Sequence, residues 1–324
     1  MGNIKTRNYS LDFFKGIACI LVVFMHCEFP GKTGILIQCV SRFCVPFFFM
    51  VSGYFCYAAD KQVDYKKKII HISKIIISAI AFYSFINIFF YHRYPVITAH
   101  ALRDYLIFNV PLYIAGQMWF LYALLYDYVL MYLIVKFKLQ KTLKIIVPVG
   151  ICLYILLAQG AHLTGFHVSN KIYRNFLIEG FPLFSLGYLL HMDEGRFTVS
   201  SGSLPVIISA TTLCCVLERV LMERDFGVNI CTFPQVTAVF LYSLINADKY
   251  KDSLFTKLGE KYSMYIYMFH PAVWHMLEWV YSVGHFEEFL IMLYIRPLLC
   301  AGISVMLSGG YLRMAQSLKG KGNR

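Results

Sequence analysis

Charge is what this sequence has least of. Only 15% of its 324 residues are Asp, Glu, Lys or Arg, against 58% hydrophobic and 17% aromatic, and the mean hydropathy is +0.59. Soluble globular chains carry about 25% charge, so a chain this long cannot clothe one or two cores in a polar skin. That excludes an ordinary water-soluble protein, and disorder with it. Its ten cysteines show neither a CxxC nor the spacing of a metal site, which argues against a zinc centre and a disulfide framework. Nearly all of them fall in apolar runs, where Cys packs as a small apolar side chain. A P-loop is missing, so coupling to ATP hydrolysis is not expected. Repeats, low-complexity tracts and a separate soluble segment are missing too, and a single membrane-embedded domain over residues 1–324 is the expectation.

What is there is a series of long apolar runs. A spanning helix needs about 20 mostly apolar residues, and such runs lie near residues 9–28, 35–58, 69–91, 111–135, 143–160, 176–192, 204–222, 231–247, 262–283 and 287–309. The predicted fold class is all-α, a polytopic integral membrane protein with about ten transmembrane helices. Lys5 and Arg7 precede the first run as in a signal peptide. Asp12, Lys15 and His26 interrupt it and no small-residue cleavage site follows, so it is expected to remain as the first helix.

The net charge of +12 then finds a topological reading. With the N terminus in the cytoplasm, nineteen of the thirty Lys and Arg fall in inner segments, and six in outer ones: Lys32, Arg93, Arg103, Lys171, Arg174 and Arg224. This positive-inside bias predicts cytoplasmic N and C termini. No basic stripe with interleaved aromatics lies outside the runs, so no nucleic-acid partner is expected.

Ionisable groups inside spans are costly and are functional candidates by default. In the first run Asp12, Lys15 and His26 share one helical stripe: at 100° per residue Lys15 and His26 end about 20° apart, and about 16 Å apart along the axis. On the same topology His26, Arg42, Gln117, Glu179 and Arg296 fall in the outer halves of their spans. The Ser52-Gly53 pair and His270 fall towards the inner halves, and His71 and Lys74 begin the third span beside Lys66, Lys67 and Lys68. The pattern suits a passage with an anion-attracting inner mouth and a polar outer chamber. It also suits scattered interhelical hydrogen bonds.

The same residues carry a family resemblance. The stretch RNYSLDFFKGIACILVVFMH, Arg7 to His26, resembles the opening of the acyltransferase 3 family of membrane acyltransferases, whose first helix has a basic residue, ten residues, then His; Lys15 and His26 match. VPFFFMVSGYF from Val45 is similar to its PxFFxxSGY segment, and GQMWFLYALL from Gly116 to its WFLxAL helix. FPLFSLGYLL from Phe181 and LGEKYSMYIYMFHP from Leu258 resemble its FFxxGY and GxxSxxIYxxHP segments. The family's RxxR pair stands here as His71 and Lys74, with Lys68 one turn earlier. Lys74 keeps the basic character, but not the bidentate fork of Arg.

The resemblance implies transfer of an acyl group, most often acetyl, from a coenzyme A thioester to a hydroxyl of a cell-surface or exported glycan such as a capsular polysaccharide. Acetyl-CoA is then a donor substrate rather than a resident cofactor, no metal is implied, and the partners are acyl-CoA, the glycan and the lipid bilayer of a bacterial plasma membrane. His26 is the candidate general base or acyl carrier, and Lys15, at the family's basic position, a group for a donor phosphate or carbonyl. Lys68, His71, Lys74 and Ser52 are candidates for the donor, with helix packing the rival role for Ser52. Arg42, Trp119, Glu179, His270 and Arg296 are candidates for the acceptor or pocket. The rival function is a multi-span transporter or exporter, which favours broken helices at matching positions of two halves; no such pairing is visible.

Overall fold

The computed structural model describes residues 7–59, 63–92, 97–111, 116–194 and 199–321. Lys5, Lys61, Arg93, Arg196 and Arg324, counted above for topology, lie outside them. Among the described residues every regular element is helical, as lipid demands of a backbone that must satisfy its own hydrogen bonds. In chain order the α-helices are α1 (Tyr9–His26), α2 (Gly31–Ser41), α3 (Cys44–Tyr54), α4 (Tyr65–Tyr91), α5 (Ala99–Phe108), α6 (Trp119–Lys136), α7 (Leu143–Ile155), α8 (Ala161–Leu163), α9 (Asn170–Tyr173), α10 (Phe181–Met192), α11 (Ser203–Met222), α12 (Thr232–Ile245), α13 (Leu254–Lys257), α14 (Ser263–Val283) and α15 (Leu290–Lys321). Three π-helical turns, Leu156–Gly160, Phe176–Gly180 and Leu258–Tyr262, lead into α8, α10 and α14.

The ends of these helices follow from short polar side chains. Asn8, Asp64 and Thr98 accept from Leu11, Lys67 and Ala101 N–H at the starts of α1, α4 and α5, relieving donors that have no partner within the helix. Helices α4 and α5 stop where His92 and Asn109 turn left-handed.

Among the described residues each expected span overlaps a helical segment, and seven stretches are long and apolar enough to cross a membrane: Tyr9–His26, Gly31–Tyr54, Tyr65–Phe89, Gly116–Lys136, Gln140–Leu163, Ser203–Met222 and Leu290–Ser317. The physical difference lies in the other three. Phe176–Met192 and Thr232–Ile245 are apolar but shorter, and a rise of 1.5 Å per residue leaves them below the roughly 30 Å hydrocarbon core. Helix α14 has length enough, but its His, Trp, Tyr and Ser residues dilute its apolarity. The second expected span is broken at Arg42, the C-cap of α2. Helix α11 leaves Val206, Leu213, Val220 and Leu221 exposed, the surface of a helix whose surroundings are lipid.

Two compact units make up the chain. The first comprises residues 1–44, 201–216 and 237–324, and the second 45–200 and 217–236. In the first, α1 packs against α13, the turn 258–262, α14 and α2, and α14 runs along α15. Gly16 and Gly259 bring their backbones into contact: a Cβ on Gly16 would stand 1.9 Å from Phe255 O, and one on Gly259 1.8 Å from Asp12 O. In the second, α6 packs on α4 and on the turn 176–180, α10 on α7, and α3 meets α10 through Gly53 and Gly187.

Candidate active site

In the first unit, α1 opens on a charge network. Arg7 grips Asp12 through Nε (2.9 Å) and Nη2 (2.6 Å), and reaches Glu260 through Nη1 (2.5 Å). Lys15 donates to the other oxygen of Asp12 at 2.9 Å. Lys15 is thus held locally, one turn along from its partner. The hydrogen bond from Arg7 is the main reason that the Glu260 carboxyl titrates below its ordinary 4.5. Its contribution to stability is therefore fully present above 4.5 and lost as the pH falls through the lower folded value. Glu260→Gln is expected to remove that dependence. Acidified from pH 7 to pH 4 in detergent, the wild type should lose more of its thermal midpoint than the variant; parallel losses would contradict this.

At the opposite end of α1, His26 lies with its ring 5.4 Å from that of His270, the planes 27° apart. His270 is fully buried on α14. Its Nδ1 lies 3.2 Å from Ile266 O, and its Nε2 is buried with no hydrogen-bond partner. The bond to a carbonyl sets Nδ1 as the protonated nitrogen and leaves Nε2 a lone pair. Arg296 on α15 lies over the Tyr281 ring at 5.9 Å, and Nη2 of Arg42 reaches Gln38 at 3.4 Å.

The second unit holds the remaining expected residues. On α4, Lys68 is half-buried with its ammonium 5.6 Å from the centre of the Tyr128 ring, whereas His71 and Lys74 are exposed. Ser52 donates to Phe48 O at 2.8 Å, within its own helix, which fits the packing role. Trp119 opens α6 beneath the Arg174 guanidinium, 5.1 Å away, and its carbonyl accepts from Asn109. Asn109 Oδ1 in turn accepts from Phe176 N–H at 2.7 Å, so one buried amide ties the start of α6 to the π-helical turn that carries the buried Glu179. Outside the spans, Lys171 and Arg103 both bind Asp104, and the hydrogen bond from Lys171 chiefly holds that carboxyl below the usual range.

Sequence reasoning missed Asp127. It is wholly buried in the middle of α6, neither oxygen has a hydrogen-bond partner, and a Cβ on Gly180 would come within 2.9 Å of Oδ2 and 3.1 Å of the Phe49 ring. The signal was in the sequence: a carboxyl group in the middle of an apolar run. Among the described residues no group of three or more His, Cys, Asp or Glu side chains is arranged to hold a metal ion.

Apolar helices around a pair of facing imidazoles define a membrane protein with ionisable side chains in its interior. The acyltransferase domain model matches residues 8–312. The chain belongs to the acyltransferase 3 family, and is a membrane acyltransferase. No curated protein and no solved structure matches it.

Proposed function

We propose that this protein transfers an acetyl group from acetyl-CoA to a hydroxyl of a cell-surface or exported glycan, such as a capsular polysaccharide, at the plasma membrane of a bacterium. The observation that carries the reading is the stacking of His26 on His270 at one end of α1, with Lys15 towards the other. An alcohol is a weak nucleophile until a base takes its proton, and a neutral imidazole, with a reference pKa of about 6.5, does so near neutrality. His26 takes the hydroxyl proton as the oxygen attacks the thioester carbonyl. The C–S bond then breaks, and the departing coenzyme A thiolate receives the proton. His270, with its tautomer set by Ile266, holds the facing imidazole in orientation.

The donor enters from the cytoplasmic side, where Lys68, His71 and Lys74 supply cations for its phosphates. Arg42 and Arg296, in the unit that carries His26, serve the acceptor. The nineteen-to-six distribution of cations supports cytoplasmic termini, and so an outward-facing His26.

The test is incubation of the purified protein with labelled acetyl-CoA and candidate glycans. Label should enter the glycan, and Lys68→Ala/Lys74→Ala should raise the KM for acetyl-CoA about tenfold with little change for the acceptor, the loss of about 1.4 kcal/mol of binding. Failure to acylate any glycan, combined with substrate flux across vesicles, favours a transporter instead.

A further inference from the structure

Arg296 opens a polar stripe on α15. Steps of four residues advance about 40° around a helix, so Arg296, Cys300, Ser304 and Ser308 follow one face, and the last three are fully buried. Each of those three has its hydrogen bond: Cys300 Sγ with His270 O at 3.8 Å, Ser304 Oγ with Cys300 O and Ser308 Oγ with Ser304 O, both at 2.7 Å. Arg296 is the exception. Its Nε is buried and has no hydrogen-bond partner. Among the described residues its guanidinium forms no ion pair with a carboxylate, and Glu278 on the neighbouring α14 turns to His275 at 3.3 Å. An aromatic ring sets its position: the guanidinium lies 5.9 Å from the centre of Tyr281, whose hydroxyl donates to Met292 O at 3.0 Å.

The same contacts place Arg296 relative to the histidine pair. Cys300 meets the backbone of His270, whose ring stacks on His26, and Arg296 is one turn of α15, about 6 Å, beyond it. Tyr281 follows His270 on α14 at about 20° around the helix and about 16 Å along it. Both steps lead towards the connection between α14 and α15. The guanidinium therefore shares the face of the histidine pair and stands one to three turns beyond it.

We propose that Arg296 binds a carboxylate of the acceptor, so that the glycan acylated here contains uronic acids or other carboxylated sugars. A cation inside a span without a counter-charge is costly, and a guanidinium presents paired N–H groups that take both oxygens of a carboxylate. The separation puts the bound carboxylate on a sugar neighbouring the one whose hydroxyl meets His26. A lipid phosphate is the poorer fit, because the atom left without a partner is buried in the protein.

That the carboxylate belongs to an acceptor rests on the acyl-transfer reading above, whereas its binding is read without acetyl-CoA. Purified full-length protein in nanodiscs is titrated calorimetrically with hexasaccharides of galacturonic, glucuronic and mannuronic acid, and with their neutral methyl esters. At least one acid is expected to bind about tenfold to a hundredfold more tightly than its ester, the worth of a hydrogen bond to a charged group. This comparison needs no variant. Arg296→Gln should erase the preference, and Arg296→Lys, which keeps the charge without the fork, should retain only part of it. Label transfer from acetyl-CoA is measured separately: a carboxylate preference without transfer supports the binding site and counts against the acyl-transfer reading. Equal affinity for acids and esters, or a preference that survives in Arg296→Gln, overturns the proposal. So does an effect confined to lipid, in which Arg296→Gln alters only the thermal midpoint in phosphatidylglycerol nanodiscs, since the guanidinium would then hold a headgroup phosphate.

Discussion

His26→Ala is expected to lower acyl transfer by about 10²–10⁴-fold, the usual worth of a positioned general base, while the protein still accumulates in the membrane. Accumulation should survive because His26 is only half-buried and closes its helix rather than sitting inside the packed stretch from Leu11 to Val23. Catalysis should not survive, because the imidazole stacked on it, His270, is wholly buried. The measurement is turnover of labelled acetyl-CoA by equal amounts of purified wild type and variant, with an immunoblot of membranes to confirm equal accumulation. Undiminished transfer by the variant would remove His26 from the chemistry. A variant that fails to accumulate would instead assign His26 a packing role.

The largest effect on stability is expected at the crossing of α3 and α10. A Cβ on Gly53 would stand 1.8 Å from Phe184 O, and one on Gly187 1.9 Å from Met50 O. Each glycine thus seats a backbone carbonyl of the opposite helix, and a carbonyl inside a helix cannot swing away as a side chain can. Overpacking in a core costs about 1–3 kcal/mol and sometimes more, a large share of the roughly 5–15 kcal/mol that holds a domain folded. Gly53→Ala or Gly187→Ala should each lower the thermal midpoint in detergent, and the double variant should fail to accumulate. Gly302→Ala is the control, since a Cβ there meets nothing within 4 Å and Ala favours helix by about 1 kcal/mol. Equal midpoints for Gly53→Ala and the wild type would rule out so close a crossing.

The first of these effects was legible in the sequence and the second only in part. The spacing of Lys15 and His26 marks one face of one helix, so both stood out as candidates before any coordinates. Gly53 was visible as a small residue suited to close packing, but its partner carbonyl was not. Lys15 shows the limit from the other side. It stands out on the stripe, yet Asp12 on the same stripe holds its ammonium at 2.9 Å. Asp127 was missed because attention to one periodic stripe passes over a single acid elsewhere.

The sequence by itself determined that the protein is helical, membrane-embedded and a member of its family. Scarce charge and long apolar runs leave a backbone in lipid no alternative to satisfying its own hydrogen bonds, and five short motifs survive as linear patterns. Only the tertiary structure decided which polar groups meet: His26 with His270, and Arg7 with Glu260. The physical reason is that a period of 3.6 residues orders side chains around a single helix but says nothing of how far its neighbour is shifted or rotated. That offset is set where backbones touch, at Gly16 and Gly259 in one unit and at Gly53 and Gly187 in the other.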